Sequence, residues 1–244
     1  MREYQEYFQK DVVFIITYSL QSKGVEKMVE QKRDLLERYM GILLEENRQI
    51  RLVGPSEKEV LWKKHLVDCA YTLYFLPPRG KVVDLGSGAG LPGMVWALCR
   101  PDLEVVLCES IRKKAAFLER VRSYFGLISC RVVAERSEIL ARDERESFSL
   151  AGARAVSHLG VVGEYAAPLV APGGSLMAMK GERGKEELRE IGSQWKELGF
   201  SDPKIYDYTL EDQELHYVIQ IPKPEVTPSK YPRRPGMAEK RRWW

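Results

Sequence analysis

The sequence KVVDLGSGAGLPG, residues 81–93, decides the fold class of this chain. It begins with a short apolar run, which predicts a buried parallel strand, and continues into a turn rich in glycine. A helix is expected from Leu91 to about Leu98, and the apolar run EVVLCE at 104–109 predicts a second strand. A strand, a glycine turn, a helix and a further strand are typical of an open α/β sheet that binds a ligand at the turn.

The same alternation continues towards the C-terminus. Further strands are predicted at CRVVAE (130–135), SLAGARAV (149–156), SLMAMKG (175–181) and, as a late antiparallel strand, HYVIQI (216–221). Helices lie between them, and one of these should be capped by Ser110 and stopped by Gly126. We therefore predict an α/β, Rossmann-like fold, in which a mostly parallel sheet carries helices on both faces.

Helical periodicity precedes this region, and prolines follow it. One amphipathic helix is predicted at about 25–50, and a second at 56–76, where Ser56 and Glu59 form a capping box and Pro77 ends the helix. Five prolines after Ile221 predict an extended arm without regular structure. We expect a helical N-terminal extension (1–76), an α/β domain (77–222) and a basic C-terminal arm (223–244).

The composition limits the class of protein and its location. The four cysteines are widely separated and form no CxxC pair, and the three histidines lack metal-ligand spacing, which predicts a reducing, cytoplasmic location and no metal site. The apolar run VVFIITYSL at 12–20 is shorter than the ~20 residues that span a membrane. We interpret it as core packing, or as residues added by an upstream start site, rather than as a signal peptide or membrane anchor.

Two ligands fit the glycine turn. Residues 88–93 satisfy GxGxxG, and Glu109 stands about 20 residues further on, as in dinucleotide-binding proteins. Asp84, however, should place a carboxylate at the edge of the ligand, where it repels a pyrophosphate but accepts the ammonium of S-adenosylmethionine. The turn also begins at Gly86, directly after the strand. These features favour the methyl donor, whereas Glu109 can accept hydrogen bonds from the ribose of either ligand.

Several further motifs occur in a specific order. They are HLVD at 65–68, DLGSGAGLPG at 84–93, Arg136-Ser-Glu138, RAV at 154–156, GGSLMAMKG at 173–181 and YPRRPGMAEKRR at 231–242. Together they resemble the ribosomal RNA small subunit methyltransferase G family, also called glucose-inhibited division protein B. The resemblance runs from about Lys27 to the basic tail, and the first 24 or so residues have no counterpart in it.

This resemblance implies a class I methyltransferase domain with a seven-stranded sheet. Its members transfer a methyl group from S-adenosylmethionine to the N7 of a guanine in 16S ribosomal RNA, leaving S-adenosylhomocysteine. The implied partner is small-subunit ribosomal RNA, either free or within the 30S particle, and the implied protein is a cytoplasmic monomer.

The glycine turn and the resemblance together define a donor site. By position, the family's donor-binding residues fall on Gly86, Leu91, Ser137, Glu138 and Arg154, and its acidic residue after the second strand falls on Glu109. The full set of predicted donor-binding residues is Asp84, Gly86, Ser87, Gly88, Gly90, Leu91, Glu109, Ser137, Glu138 and Arg154.

The target side should need no general base, because guanine N7 is a lone-pair acceptor without a proton. Candidate residues there are His65, Asp68, Arg154 and Lys180. His65 and Asp68 share one helix face, and the alternative is that they only orient the helical extension against the sheet. Lys180 is alternatively an exposed lysine at a strand end.

The chain carries a net charge of +3, but residues 223–244 alone hold seven basic and two acidic residues, so the positive charge is local, as a polyanion contact requires. Basic residues also open the helix at 112–114, where they oppose its dipole. The predicted RNA-binding residues are Lys113, Lys114, Arg233, Arg234, Lys240, Arg241 and Arg242. A solubilising tail is the alternative for the last five.

Three other functions remain open from the residues alone. A methyltransferase for a small molecule or a protein would need no basic tail. An NAD-dependent oxidoreductase would use the same turn, but we find no Tyr-xxx-Lys pair and no second catalytic domain. A noncatalytic RNA-binding module would not need an intact donor site.

Overall fold

In the computed structural model, residues 3–8, 13–20, 22–54, 57–210 and 214–244 are described. Their strands form one nine-stranded sheet. The strands are β1 (Glu3–Phe8), β2 (Val13–Ser19), β3 (Lys81–Leu85), β4 (Glu104–Cys108), β5 (Cys130–Val133), β6 (Phe148–Arg154), β7 (Val170–Lys180), β8 (Lys204–Thr209) and β9 (Leu215–Lys223).

The helices surround this sheet. They are α1 (Ser22–Gln31), α2 (Arg33–Asn47), α3 (Lys58–Leu61), α4 (Asp68–Ala70), α5 (Gly93–Cys99), α6 (Arg112–Tyr124), α7 (Ser137–Asp143), α8 (Leu159–Ala166), α9 (Arg183–Ile191) and α10 (Met237–Lys240). A π-helical turn (Trp62–Val67) joins α3 to α4, and 3₁₀ segments follow α4 (Tyr71–Phe75) and α9 (Gly192–Leu198).

The sheet order is β1-β2-β8-β9-β7-β6-β3-β4-β5. The strands from β7 to β5 run parallel, which confirms the α/β prediction, and β9 lies antiparallel between β7 and β8, as expected for the late strand. The carboxyl ends of β3, β4 and β6 therefore meet at one edge. That edge is where an open α/β sheet binds its ligand.

Three strands differ from the expectations. β8 escapes the sequence analysis because KIYDYT mixes charged, polar and apolar residues in six positions. The prediction of a wholly helical N-terminal extension is wrong for β1 and β2, which extend the sheet edge beyond β8. The β-branched and aromatic residues of VFIITYS suit a strand, and pairing with β8 supplies hydrogen bonds that an edge strand otherwise lacks.

Two hydrophobic cores lie on the two faces of the sheet. One contains α2 and the segment from α3 to the 3₁₀ turn, together with α5 and α6, and the other contains α8 and α9. Gly152 in β6 makes room for the indole of Trp96, because a Cβ there would lie 2.2 Å from a ring carbon. The Trp96 indole N–H donates to the Thr72 hydroxyl at 2.7 Å, so α5, β6 and the 58–75 segment are packed as one unit.

The helical prediction for the segments before the sheet is largely confirmed. The periodic stretch at 25–50 is divided near Lys32 into α1 and α2. The next helical segment begins at Lys58 and ends at Phe75 before the two prolines, with Glu57 at its N-cap position. Ser56 of the predicted capping box lies outside the described residues.

Residues 223–244 are not an extended arm, and we call them the C-terminal strap. The Lys223 ammonium is fully buried, and it donates to Glu146 and to the Val170 carbonyl, each at 2.7 Å. Tyr231 and Ala238 are buried in the core beside α8. The prolines exclude long regular elements, as expected, but they do not prevent buried side chains from anchoring the chain.

Within the described ranges, no helix combines the length and hydropathy that a bilayer crossing requires. Among those same residues, no group of three or more His, Cys, Asp or Glu side chains is placed to hold a metal ion.

Candidate active site

The glycine turn follows β3 and adopts a backbone conformation that only glycine accepts easily. Gly86, Gly88 and Gly90 have φ of +64°, +55° and +91°. At Gly90 a Cβ would also lie 2.8 Å from the Tyr39 hydroxyl, which donates to the Ala89 carbonyl. α2 therefore packs against one side of the turn, and the backbone on the opposite side stays accessible.

Glu109, at the end of β4, ties this turn to the next helix. One carboxylate oxygen accepts from the Gly88 N–H at 2.8 Å, and the other accepts from the Ile111 N–H at 2.7 Å. The predicted cap Ser110 is therefore wrong: Ile111 holds the N-cap position of α6. The Glu109 carboxylate instead binds the N–H of Ile111, the residue just before the helix.

Asp84 occupies a different place from the one expected. The sequence predicts its carboxylate at the edge of the ligand, but the side chain is fully buried below the turn, where Oδ2 accepts from the Gly93 N–H at 3.0 Å. This contact starts α5 at Gly93 rather than at Leu91. Burial raises the pKa of Asp84 to about 7, although the Gly93 hydrogen bond opposes the rise.

Ser87 and Leu91 complete the turn. The Ser87 hydroxyl donates to the Asp84 carbonyl at 2.9 Å, and its own carbonyl accepts from the Leu91 N–H at 3.2 Å. The Leu91 side chain is buried. Both residues therefore shape the turn from within.

A small cavity of about 120 Å³ opens beside the turn. It is bounded by Gly86 on one side, by Ser137 and Glu138 at the start of α7 on another, and by Val156 after β6. Glu138 is buried, and its Oε1 accepts from the Gly236 N–H of the strap at 2.8 Å. The structure thus brings the predicted residues of β3 and α7 together around one cavity.

A second cleft, of about 510 Å³, contains the target-side candidates. Asp68 is its hub. It accepts from the Tyr208 hydroxyl at 2.6 Å and from Arg154 Nε at 3.2 Å, and His216 Nδ1 lies 3.4 Å from the same oxygen that Tyr208 binds. Arg154 also donates to the Lys64 carbonyl at 3.2 Å.

The charges in this cleft balance. Burial, and next the Arg154 charge, lower the pKa of His65 to about 4, so its ring is neutral at pH 7 and its Nδ1, 2.8 Å from Arg154, is the acceptor. Burial acts to raise the pKa of Asp68, but the His216 hydrogen bond, the Arg154 charge and the Tyr208 hydroxyl together lower it. The Asp68 carboxylate, the Arg154 guanidinium and the neutral His65 ring therefore form one contiguous group in the cleft.

Lys180 lines the same cleft, but its ammonium is bound to protein. It donates to the Ser157 carbonyl and to Glu187, each at 2.7 Å. The same Glu187 oxygen accepts from the Leu159 N–H at 2.7 Å. Lys180 thus fixes the turn that leads into α8.

The end of β6 separates the two cavities. Arg154 and Ala155 line the cleft, and Val156 lines the small cavity, where its methyl group would lie 3.0 Å from a Cβ on Gly86. Ala155 has a φ of +55°, a strained conformation for a residue with a side chain. Such strain occurs where the surrounding structure imposes a functional geometry.

The predicted RNA-binding cations divide into two groups. Arg233 is paired with buried Glu164, and Arg242 lies 3.0 Å from Glu190. The remaining side chains, which have no acidic partner within the described residues, are Lys113, Lys114, Arg234, Lys240 and Arg241. The start of α6 and α10 flank the same small cavity, through Ser110 and Glu239.

Sequence reasoning missed Tyr208, His216 and Glu239. Tyr208 lies on β8, which was not identified, and it contacts Asp68 across 140 positions of sequence. His216 opens β9, and a rare histidine at the start of a strand was the one available signal. Glu239 was hidden among the basic residues of the strap.

Comparison with known proteins agrees with this geometry. A family model described as rRNA small subunit methyltransferase G matches residues 32–216. Ribosomal RNA small subunit methyltransferase G of Moorella thermoacetica is 38% identical over 212 residues, which cover 85% of this chain and 88% of the relative. The protein of the same name from Syntrophomonas wolfei is 37% identical over 205 residues, 83% of this chain and 96% of the relative.

Among solved structures, a protein of Corynebacterium glutamicum aligns with a TM-score of 0.50 and 13% identity, over 77% of this chain and 90% of that one. This similarity concerns the fold alone. The family model extends from α2 to the start of β9 and includes the whole cleft and every residue of the small cavity except Glu239. The chain therefore belongs to the rRNA small subunit methyltransferase G family.

Proposed function

We propose that this protein transfers a methyl group from S-adenosylmethionine to the N7 of a guanine in 16S ribosomal RNA and releases S-adenosylhomocysteine. The observation that carries the proposal is the position of residues 154–156 between the two cavities. A donor held over Gly86 and Val156 would direct its methyl group towards the cleft that contains Asp68 and Arg154.

The residues at the small cavity fit the donor. The open backbone of the glycine turn allows close approach, Ser137 and Glu138 line the cavity, and Glu109 holds the turn in shape through the Gly88 N–H. The proposed donor-binding residues are Gly86, Ser87, Gly88, Gly90, Leu91, Glu109, Ser137, Glu138 and Arg154, and Asp84 supports them from below the turn. When bound, the donor supplies an electrophilic methyl group on a sulfonium.

The cleft fits the acceptor. Guanine N7 attacks with a lone pair, so no side chain has to remove a proton, and alignment of the two reactants provides most of the rate enhancement. Positive charge develops on the base during transfer, and the Asp68 carboxylate is a preorganised negative group nearby. Arg154 holds that carboxylate in place, and the neutral His65 ring binds Arg154 without adding a further charge.

The surface fits a polyanion. Lys113 and Lys114 at the start of α6, with Arg234, Lys240 and Arg241 of the strap, offer cations to phosphates around the small cavity. The proposed partner is small-subunit ribosomal RNA, as free RNA or within the 30S particle. The protein would act in the cytoplasm as a monomer.

The proposal is tested by incubating the protein with methyl-labelled S-adenosylmethionine and under-methylated small subunits, and then identifying the labelled nucleoside. We expect the label on 7-methylguanosine. The variant Arg154→Lys keeps the charge but loses the planar contact to Asp68, and it should reduce labelling, whereas Arg183→Lys at the exposed start of α9 is the control. Donor binding without label on RNA would refute the ribosomal substrate and favour a small molecule or a protein.

A further inference from the structure

The C-terminal strap lies against the donor side of the molecule and is held there at two places. Arg233 pairs with Glu164 of α8, and the ring of Trp244 covers Gly160, where a Cβ would lie 2.6 Å from it. Trp243 donates to the Gly160 carbonyl at 2.8 Å. Between these anchors, α10 crosses the mouth of the small cavity. The family model ends at residue 216, before the strap begins.

Two carboxylates, those of Glu138 and Glu239, lie where the strap reaches the cavity, and they differ in their hydrogen bonds. Glu138 is buried, with Oε1 bound to the Gly236 N–H and Oε2 3.3 Å from the Ser137 hydroxyl. One of its oxygens therefore holds the strap, and the other is engaged within α7. Glu239 of α10 is exposed, and only its Oε1 is engaged, by the Tyr165 hydroxyl at 3.2 Å.

Glu239 faces the cavity with a free acceptor. It lines the cavity together with Gly86 and Ser137, and among the described residues no donor binds its Oε2. Burial, and then the charges of Glu138 and Glu239, raise the pKa of Tyr165 well above its usual value, as expected for a hydroxyl between two carboxylates. An unused carboxylate oxygen at the rim of a nucleoside cavity is suited to accept an N–H group.

We propose that the strap is one wall of the donor pocket and that Glu239 accepts a hydrogen bond from the exocyclic amine of the donor's adenine. This assignment rests on the proposed function, because it needs the small cavity to hold the nucleoside. It gives the strap a role in donor recognition that is separate from any contact of its cations with RNA.

The test is the equilibrium binding of two ligands, S-adenosylhomocysteine and its inosine analogue, in which a carbonyl replaces the amine. Calorimetry would compare the wild type with Glu239→Ala and with Tyr165→Phe, which keeps the carboxylate and the ring that lines the cavity and removes only the hydroxyl bound to Glu239. Glu225→Ala is the control, because Glu225 is an exposed glutamate of the same strap outside the cavity.

We expect Glu239→Ala to weaken S-adenosylhomocysteine about fivefold, as for one partly exposed charge-assisted hydrogen bond. The variant should bind the inosine analogue with the affinity of the wild type. The ratio of the affinity for S-adenosylhomocysteine to that for the inosine analogue should therefore fall about fivefold. Tyr165→Phe and Glu225→Ala should stay within about twofold of the wild type.

Two results would overturn the assignment. An unchanged ratio of the two affinities in Glu239→Ala would show that another group binds the exocyclic amine. Equal weakening by Glu239→Ala and Tyr165→Phe would mean that Glu239 only positions the strap. Failure of the wild type to bind S-adenosylhomocysteine would instead refute the donor in the proposed function, and the assignment would fall with it.

Discussion

Asp84 makes the stability of the fold depend on pH in an unusual direction. Its carboxyl group is fully buried below the glycine turn, and its pKa rises from 3.8 to about 7 on folding. Below about pH 4 the group is protonated in both the folded and the unfolded chain, so it imposes no penalty. Between about pH 4 and pH 7 the Asp84 carboxyl ionises readily only in the unfolded chain. The folded state therefore becomes less stable relative to the unfolded state as the pH rises, and this loss is complete above about pH 7.

The size of this penalty follows from the two pKa values. A rise from 3.8 to about 7 corresponds to about 4 kcal/mol of unfolding free energy once the group is ionised in both states. Between pH 5 and pH 8 the penalty should grow by about 3 kcal/mol. Asp84→Asn retains an oxygen for the Gly93 N–H and cannot ionise, so it removes this dependence.

Urea unfolding of the wild type and Asp84→Asn at pH 5 and pH 8 measures the effect. The amide of Asp84→Asn changes the unfolding free energy by an amount that does not depend on pH. The informative quantity is therefore how the difference in unfolding free energy between the two proteins changes with pH. We expect Asp84→Asn to gain about 3 kcal/mol on the wild type from pH 5 to pH 8. Asp143→Asn, at an exposed site on α7, is the control. Parallel profiles for the wild type and Asp84→Asn would refute the reasoning.

Three further predictions concern other parts of the molecule. Gly152→Ala places a methyl group 2.2 Å from the Trp96 ring and should lower the unfolding free energy by about 1–3 kcal/mol, measurable by thermal or urea unfolding; an unchanged midpoint would contradict this packing. Asp68→Asn leaves a largely buried guanidinium without its carboxylate and should cost about 3–5 kcal/mol, together with most of the methylation of RNA; a stable and fully active variant would remove Asp68 from the site. Joint replacement of Lys113 and Lys114 by Gln should weaken RNA binding and reduce the salt slope by about 2, without changing donor affinity; an unaltered slope would exclude these lysines from the RNA contact.

The glycine turn was predictable because it depends on backbone conformation. Positive φ at Gly86, Gly88 and Gly90 leaves little choice of residue, so the motif is visible in one sequence. The position of Glu109 was predictable because it directly follows a clear strand, whereas its hydrogen bonds to Gly88 and Ile111 were not. The exact place of Asp84 was not, because a carboxylate after a strand can point towards the ligand or back into the core.

The target-side cleft was only half predictable. His65 and Asp68 are neighbours in sequence, but the partners that fix Asp68 come from β8 and β9, which follow about 140 residues later. Neither the pairing of Tyr208 with Asp68 nor the position of β8 leaves a local pattern. The prediction for the strap was wrong because its contacts are also distant in sequence. Its prolines can be seen in the sequence, whereas the residues that anchor it, Glu146 and Glu164, lie on other elements.

The strap also offers a measure of how much of the protein has it detached. Residues 240–242 are three consecutive basic residues, all exposed, and trypsin cleaves after such residues. By contrast, Lys223 is fully buried and Arg233 is bound to Glu164. A protease needs several residues in extended form, so α10 and the turn after it must detach before cleavage. When detachment is fast relative to cleavage, the rate of the cut reports the fraction of molecules with the strap lifted.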